Sequence, residues 1–108
     1  MALYCNHQQK EAHQTRGNKM KTIQITKSLA RYIEDRISYV GAYQAFKAQR
    51  SKNENVMRFD YYEITLSDTH WLAVAQTCTV MLSGEILDLM EKKKLELLRA
   101  SINEKVAA

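Results

Sequence analysis

The sequence predicts an all-α protein, a helical hairpin with one long C-terminal helix, completed by oligomerisation. The chain of 108 residues has no proline and three glycines, so few positions interrupt a helix. Two segments repeat apolar residues every three or four positions, which is the helical period. The second segment is too long for the first to cover. Its remaining apolar stripe therefore predicts contact with another copy of the chain.

The N-terminal segment differs from the rest of the chain. Residues 1–19 are polar and rich in glutamine and histidine, and they show no helical or strand period. We expect them to be a disordered leader or a translated upstream segment, with Met20 as the biological start. Residues 20–108 are then a single helical-hairpin domain. Cys5, His7 and His13 are too few for a structural zinc site, so we expect neither a metal nor another cofactor.

The first predicted helix runs from about Lys27 to Ser51, after residues 20–25, which form either a short extended arm or a first helical turn. Thr26 and Ser28 are the candidate N-caps. Residues 51–55 are rich in polar turn formers and end this helix. The apolar residues that give its period are Leu29, Ile33, Ile37 and Val40.

The second predicted helix follows a connector. Residues 56–66 are apolar and aromatic without a clean period, so we expect a packed connector there. Ser67, Asp68 and Thr69 offer N-cap side chains for a helix from Thr69 to about Lys105, roughly 50 Å long. Its apolar stripe comprises Trp71, Val74, Cys78, Leu82, Ile86, Leu89, Leu95, Leu98, Ile102 and Val106.

Net charge, cysteine count and the length of apolar runs indicate which partners and which cellular location to expect. The net charge is +4, but residues 20–108 hold thirteen basic and eleven acidic residues, a net charge of +2. Polymeric nucleic acid is therefore not the expected partner. Two cysteines do not make a disulfide framework, and no apolar run approaches the roughly 20 residues that span a bilayer. We expect a cytoplasmic protein without membrane contact.

No motif of catalysis is present in the sequence. It has neither a glycine-rich phosphate loop nor a G-x-S-x-G nucleophile motif. His70 stands alone at the start of the second helix, where a packing or capping role is more common than general-base catalysis. We therefore expect a binding protein and not an enzyme.

One face of the first predicted helix alternates aromatic rings with cations. We call it the tyrosine–cation stripe. Its spacings are four, three, four, four and three residues. Such a face suits a ligand with both a π-face and negative charge, because bases stack on aromatic rings and phosphates pair with Arg or Lys. Alternatively, the tyrosines anchor helix packing and the basic chains pass beside them. The stripe comprises Tyr32, Arg36, Tyr39, Tyr43, Lys47 and Arg50.

Three residues carry a family resemblance. Tyr32 and Lys47 lie fifteen positions apart, and Trp71 follows near the start of the second helix. This arrangement resembles the phage anti-CBASS sponge proteins, small helical hairpins that assemble into hexamers and sequester cyclic oligonucleotides. The resemblance implies that Tyr32 and Lys47 hold a cyclic dinucleotide, that the ligand is not cleaved, and that host CBASS signalling is blocked.

The helical face itself adds Arg36, Tyr39 and Tyr43 to the candidate ligand-binding residues. Two other functions stay open. One is a helical adaptor or inhibitor that binds a host protein through an apolar groove. The other is a weak nucleic-acid-binding helical dimer that uses Lys47, Arg50, Lys52 and Arg58.

Overall fold

The protein combines helices with a small sheet. A computed structural model describes residues 19–54 and 60–107. Within these ranges, two strands and four helices follow in the order β1 (Met20–Thr26), α1 (Lys27–Glu34), α2 (Val40–Asn53), β2 (Tyr61–Ser67), α3 (Asp68–Gly84) and α4 (Leu89–Ala107). The predicted all-α class is wrong, because β1 and β2 pair as a two-stranded antiparallel sheet.

The sheet has one apolar face and one polar face. Ile23 pairs with Ile64, and Ile25 pairs with Tyr62. These four side chains are buried, while the side chains of the residues between them, Gln24 and Glu63, lie on the opposite, exposed face. β2 occupies most of the predicted connector, and β1 corresponds to the extended form of the predicted N-terminal arm. Alternation between buried and exposed residues therefore stabilises a strand where the prediction expected irregular backbone.

The first predicted helix is divided into α1 and α2. The backbone leaves the helix at Asp35, and Tyr39 is extended at φ −80°, ψ 115°. Between them, the amide of Arg36 donates to the carbonyl of Ile33 at 2.8 Å, and Ile37 is buried. The break lets both short helices contribute side chains to the same core, which one straight helix roughly 37 Å long would reach only in part.

The second predicted helix is also divided, into α3 and α4. Glu85 adopts an extended backbone (φ −107°, ψ 152°) directly after Gly84. Asp88 Oδ1 then accepts the amide of Glu91 at 2.8 Å, and the amide of Asp88 donates to Glu91 Oε1 at 3.3 Å. This reciprocal pair is a capping box that starts α4. The long apolar stripe folds back on its own chain, and the helical hairpin is formed by α3 and α4.

The core lies between the sheet and the helices. Trp71 at the start of α3 is fully buried, and its indole Nε1 donates to the carbonyl of Lys21 at 2.8 Å. Ser67, one of the three predicted candidates, is the N-cap of α3, because its Oγ accepts the amide of His70 at 3.3 Å. In the two described ranges, no helix is both long enough and apolar enough to span a membrane.

Candidate ligand-binding surface

The break between α1 and α2 separates the tyrosine–cation stripe into two groups. Tyr32 lies in α1 and Arg36 in the turn after it. Tyr39 precedes α2, and Tyr43 and Lys47 lie within it. The spacing that placed all of them on one face assumed an uninterrupted helix. The prediction of a single continuous face is therefore wrong, and each group has its own surroundings.

The first group is bound to an acid from the α3–α4 connection. The hydroxyl of Tyr32 donates to Glu85 Oε1 at 2.9 Å, and Arg36 Nε donates to Glu85 Oε2 at 2.7 Å. The Arg36 guanidinium also lies 3.9 Å from the Tyr32 ring centroid. The Arg36 hydrogen bond lowers the pKa of Glu85, and the bond to Glu85 raises the pKa of Tyr32. A phosphate could reach the Tyr32 hydroxyl and Arg36 Nε only by displacing Glu85.

The second group begins with an exposed aromatic ring. Tyr39 is 56% exposed, and its ring centroid lies 6.2 Å from that of His70 at an interplanar angle of 53°. Gly41 makes room for both rings. A Cβ at Gly41 would lie 3.3 Å from Tyr39 Cε2 and 3.4 Å from His70 Nε2. His70 was not predicted to lie beside the stripe, although the small residue at position 41 indicates close packing there.

Tyr43 and Lys47 continue this surface one and two turns further along α2. The Lys47 ammonium lies 5.9 Å from the Tyr43 ring centroid, within the range of a cation–π contact. Tyr43 is half-buried against the core, whereas Lys47 is exposed. Two aromatic rings, an imidazole and an ammonium group therefore share one side of α2. This surface can stack a flat ring and bind an anion.

Arg50, the last member of the stripe, belongs to the protein interior. Its side chain is bonded to both carboxylate oxygens of Glu34, and its Nη1 donates to Glu54 Oε1 at 2.8 Å. Glu54 also accepts from Tyr62 at 2.7 Å and from Arg31 at 2.9 Å. Arg50 is thus committed to an ionic network and is not a surface cation, which removes it from the predicted nucleic-acid-binding set.

Several other candidate residues bear on the chemistry. Arg58, Cys5, His7 and His13 lie outside the described residues. Across residues 19–54 and 60–107, no group of three His, Cys, Asp or Glu side chains could hold a metal ion. Burial raises the pKa of the Cys78 thiol to about 11, so the thiol is protonated at neutral pH and is a poor nucleophile.

No protein family model, curated protein or solved structure matches the chain.

Proposed function

We propose that the protein binds a cyclic oligonucleotide messenger and sequesters it without cleaving it, so that host CBASS signalling is blocked. The observation that supports this proposal best is the surface formed by Tyr39, Tyr43 and Lys47, with His70 beside Tyr39. The Tyr39 ring is 56% exposed next to that imidazole, and Lys47 is exposed on the same side of α2.

The interactions on this surface follow from its chemistry. A base stacks on the Tyr39 ring, which by general experience contributes about 1–3 kcal/mol per base. The Lys47 ammonium pairs with a phosphate, and Tyr43 forms the wall between the two contacts. Tyr39 and Lys47 are eight residues apart, or roughly 12 Å along a helix, so one dinucleotide can contact both.

Tyr32 and Arg36 have a secondary role in this proposal. Glu85 already accepts from the Tyr32 hydroxyl at 2.9 Å and from Arg36 Nε at 2.7 Å. A ligand phosphate would have to replace a carboxylate that is covalently part of the chain, which lowers the net gain from the exchange. The proposed primary contacts are therefore those on α2, with Tyr32 and Arg36 joining only if Glu85 is displaced.

Isothermal titration calorimetry against a panel of cyclic di- and trinucleotides tests the proposal. Tyr39→Ala and Lys47→Ala should each weaken binding about tenfold or more, since about 1.4 kcal/mol corresponds to a factor of ten. Lys52→Ala is the matched control, because Lys52 is also exposed on α2 but lines a different groove, with Gln49 and Asn53. No heat from any member of the panel, or equal losses for Lys47→Ala and Lys52→Ala, would contradict the proposal.

A second candidate function is an adaptor or inhibitor that binds a host protein. It is favoured by apolar side chains at the α3–α4 corner, where Ile86 is fully exposed, Leu89 is 80% exposed and Met90 is 67% exposed. Clustered apolar residues at a helix–helix corner suit an apolar surface on a protein partner. A variant with Ile86→Ser, Leu89→Ser and Met90→Ser should lose such a partner and keep any nucleotide binding.

A further inference from the structure

The two outer edges of the sheet differ in what their backbone groups contact. On β2, the amide of Thr65 donates to Gln49 Oε1 at 3.0 Å, and the amide of Glu63 lies 3.4 Å from Asn53 Oδ1. Asn53 Nδ2 also donates to the carbonyl of Glu63 at 3.0 Å. Two side-chain amides one turn apart on α2 thus close this edge.

Among residues 19–54 and 60–107, no side-chain amide covers the outer edge of β1 in this way. The amide of Lys27 donates to the carbonyl of Asp60 at 3.0 Å, so odd-numbered residues of β1 direct their backbone groups toward β2. Even-numbered residues then direct theirs outward, because the direction alternates along an antiparallel pair. In the described part of the chain, the sheet has no third strand to receive them. The outward groups are the amides of Met20, Thr22, Gln24 and Thr26 and the carbonyls of the first three.

The side chains of β1 leave this edge unprotected. Natural edge strands usually carry a charge, a proline or a bulge that discourages pairing. β1 pairs regularly with β2 over its full length, and the only charged residue within it, Lys21, turns inward to lie 3.4 Å from Asp68 Oδ1. Beside the edge runs a groove that α4 borders on its far side, with Leu97 65% exposed. The groove gives an added strand room and an apolar wall.

We propose that a second copy of the chain pairs with this edge, β1 against β1 in antiparallel orientation, forming a continuous four-stranded sheet across a two-fold axis. The strand is complementary to itself when the axis passes through Ile23. Thr22 then lies opposite Gln24 of the other copy, so outward-facing residues meet each other as an antiparallel ladder requires. About six inter-chain hydrogen bonds can form in this register, with Met20 opposite Thr26 at each end.

The charge of Lys21 favours this register over the one with the axis at Thr22. With the axis at Ile23, Lys21 lies opposite Ile25 and the two copies of Lys21 are far apart. Moving the axis to Thr22 would bring each Lys21 opposite Ile23 and place the two ammonium groups diagonally near each other, which is unfavourable. The Ile23 register also joins two isoleucines on the apolar face. This inference is independent of the proposed ligand.

Light scattering and hydrogen exchange on the full chain test the association. The mass should be that of two chains, about twice 12.5 kDa, and the amides of Thr22 and Gln24 should exchange slowly. Thr22→Lys combined with Gln24→Lys should halve the mass and release both positions, because it sets like charges opposite each other. Gln76→Lys, an exposed glutamine on α3, is the matched control and should leave the dimer intact.

Cysteine cross-linking tests the register. In a chain with Cys5→Ser, and with Cys78 left in place because it is fully buried, Thr22→Cys and Gln24→Cys should form a disulfide-linked dimer only when combined. Hydrogen-bonded pairs place their Cα atoms about 5.5 Å apart, within disulfide range. Cross-linking by Thr22→Cys alone would mean an axis at Thr22 and would overturn the register.

Two further results would overturn the association itself. One is a wild-type protein that stays at the mass of one chain with fast exchange at Thr22 and Gln24. The other is slow exchange at these positions at the mass of one chain, which would mean that another segment of the same chain covers the edge.

Discussion

Tyr32 and Arg36 differ from Tyr39 and Lys47 in what surrounds their polar groups, although the same spacing joins all four in the sequence. The first pair donates to Glu85, which is 53 residues from Tyr32 and 49 from Arg36 along the chain. The second pair meets an imidazole and solvent. A tyrosine with a basic side chain therefore stabilises the fold in one place and stays accessible in the other. Whether an acid from elsewhere in the chain reaches them decides between the two.

Arg50 is the most buried of the basic residues that pair with an acid from elsewhere in the chain. Its removal should have the largest effect on the free energy of unfolding. Its side chain is 16% exposed and that of Glu34 is 9% exposed. Arg50→Ala leaves the Glu34 carboxylate buried without its cation, which should lower the free energy of unfolding by about 3–5 kcal/mol. Urea denaturation measures this change. Lys52→Ala on the same helix is the control and should stay within about 0.5 kcal/mol of wild type. Similar values for both variants would show that the ionic network does not stabilise the fold.

Glu85→Ala tests the contribution of an ion pair that is more exposed than the one between Arg50 and Glu34. The side chains of Arg36 and Glu85 are 35% and 31% exposed, so solvent screens their ion pair. We expect a loss of about 1 kcal/mol, mainly from the two hydrogen bonds. Glu96→Ala, exposed on α4, is the matched control. Glu85→Ala should also leave nucleotide affinity unchanged if the α2 contacts dominate, whereas a clear rise in affinity would assign Tyr32 and Arg36 to the ligand site.

The strand β2 could have been predicted from the sequence. Tyr62, Ile64 and Leu66 alternate with more polar positions and are all buried in the structure. The neighbouring residues 56–59 obscured that period, because Val56 and Met57 are apolar on adjacent positions. Once β2 is assigned, its partner β1 follows from Ile23 and Ile25, which repeat at the same period.

The two helix breaks differ in how visible they are. Gly84 lowers the helix propensity, and Asp88 with Glu91 forms a capping box, so the break before α4 can be predicted from sequence. The break at Asp35–Tyr39 contains neither glycine nor proline. It results from tertiary packing, since Ile37 is buried in the turn while Val40 is 65% exposed. The contact of Glu85 with α1 depends on both breaks, so local spacing could not reveal it.

Acid should lower the stability of the fold by protonating the glutamates that accept hydrogen bonds from tyrosine and arginine side chains. The Tyr62 hydroxyl and Arg31 lower the pKa of Glu54, and Arg36 lowers that of Glu85. Both start from an ordinary value of 4.5. Their contribution to stability is therefore complete above that pH, and it is lost as the pH falls through 4.5 toward the lower folded-state pKa values.

Thermal melts between pH 7 and pH 3 measure this effect. The melting temperature should decline most steeply below pH 4.5, and Glu54→Gln combined with Glu85→Gln should flatten that decline. Glu96→Gln, the exposed control, should keep the wild-type slope. An equally steep decline in the double variant would assign acid sensitivity to other carboxylates.

Gly41→Ala should produce the smallest change in stability. It tests whether the exposed Tyr39 ring is held in place beside His70. Replacing glycine by alanine within a helix favours folding by up to about 1 kcal/mol. At Gly41, the new Cβ would lie 3.3 Å from Tyr39 Cε2, so the exposed Tyr39 ring must move slightly and part of the gain is lost. Gly84→Ala is the matched control, because its Cβ meets nothing within 4 Å.

We expect Gly41→Ala to raise the melting temperature less than Gly84→Ala does. It should also shift the NMR signals of His70 and weaken nucleotide binding, since only this variant moves the Tyr39 ring. Equal stabilisation by both variants, with unchanged His70 signals, would mean that Tyr39 does not pack against His70. The ring proposed to stack on a base would then have no fixed position.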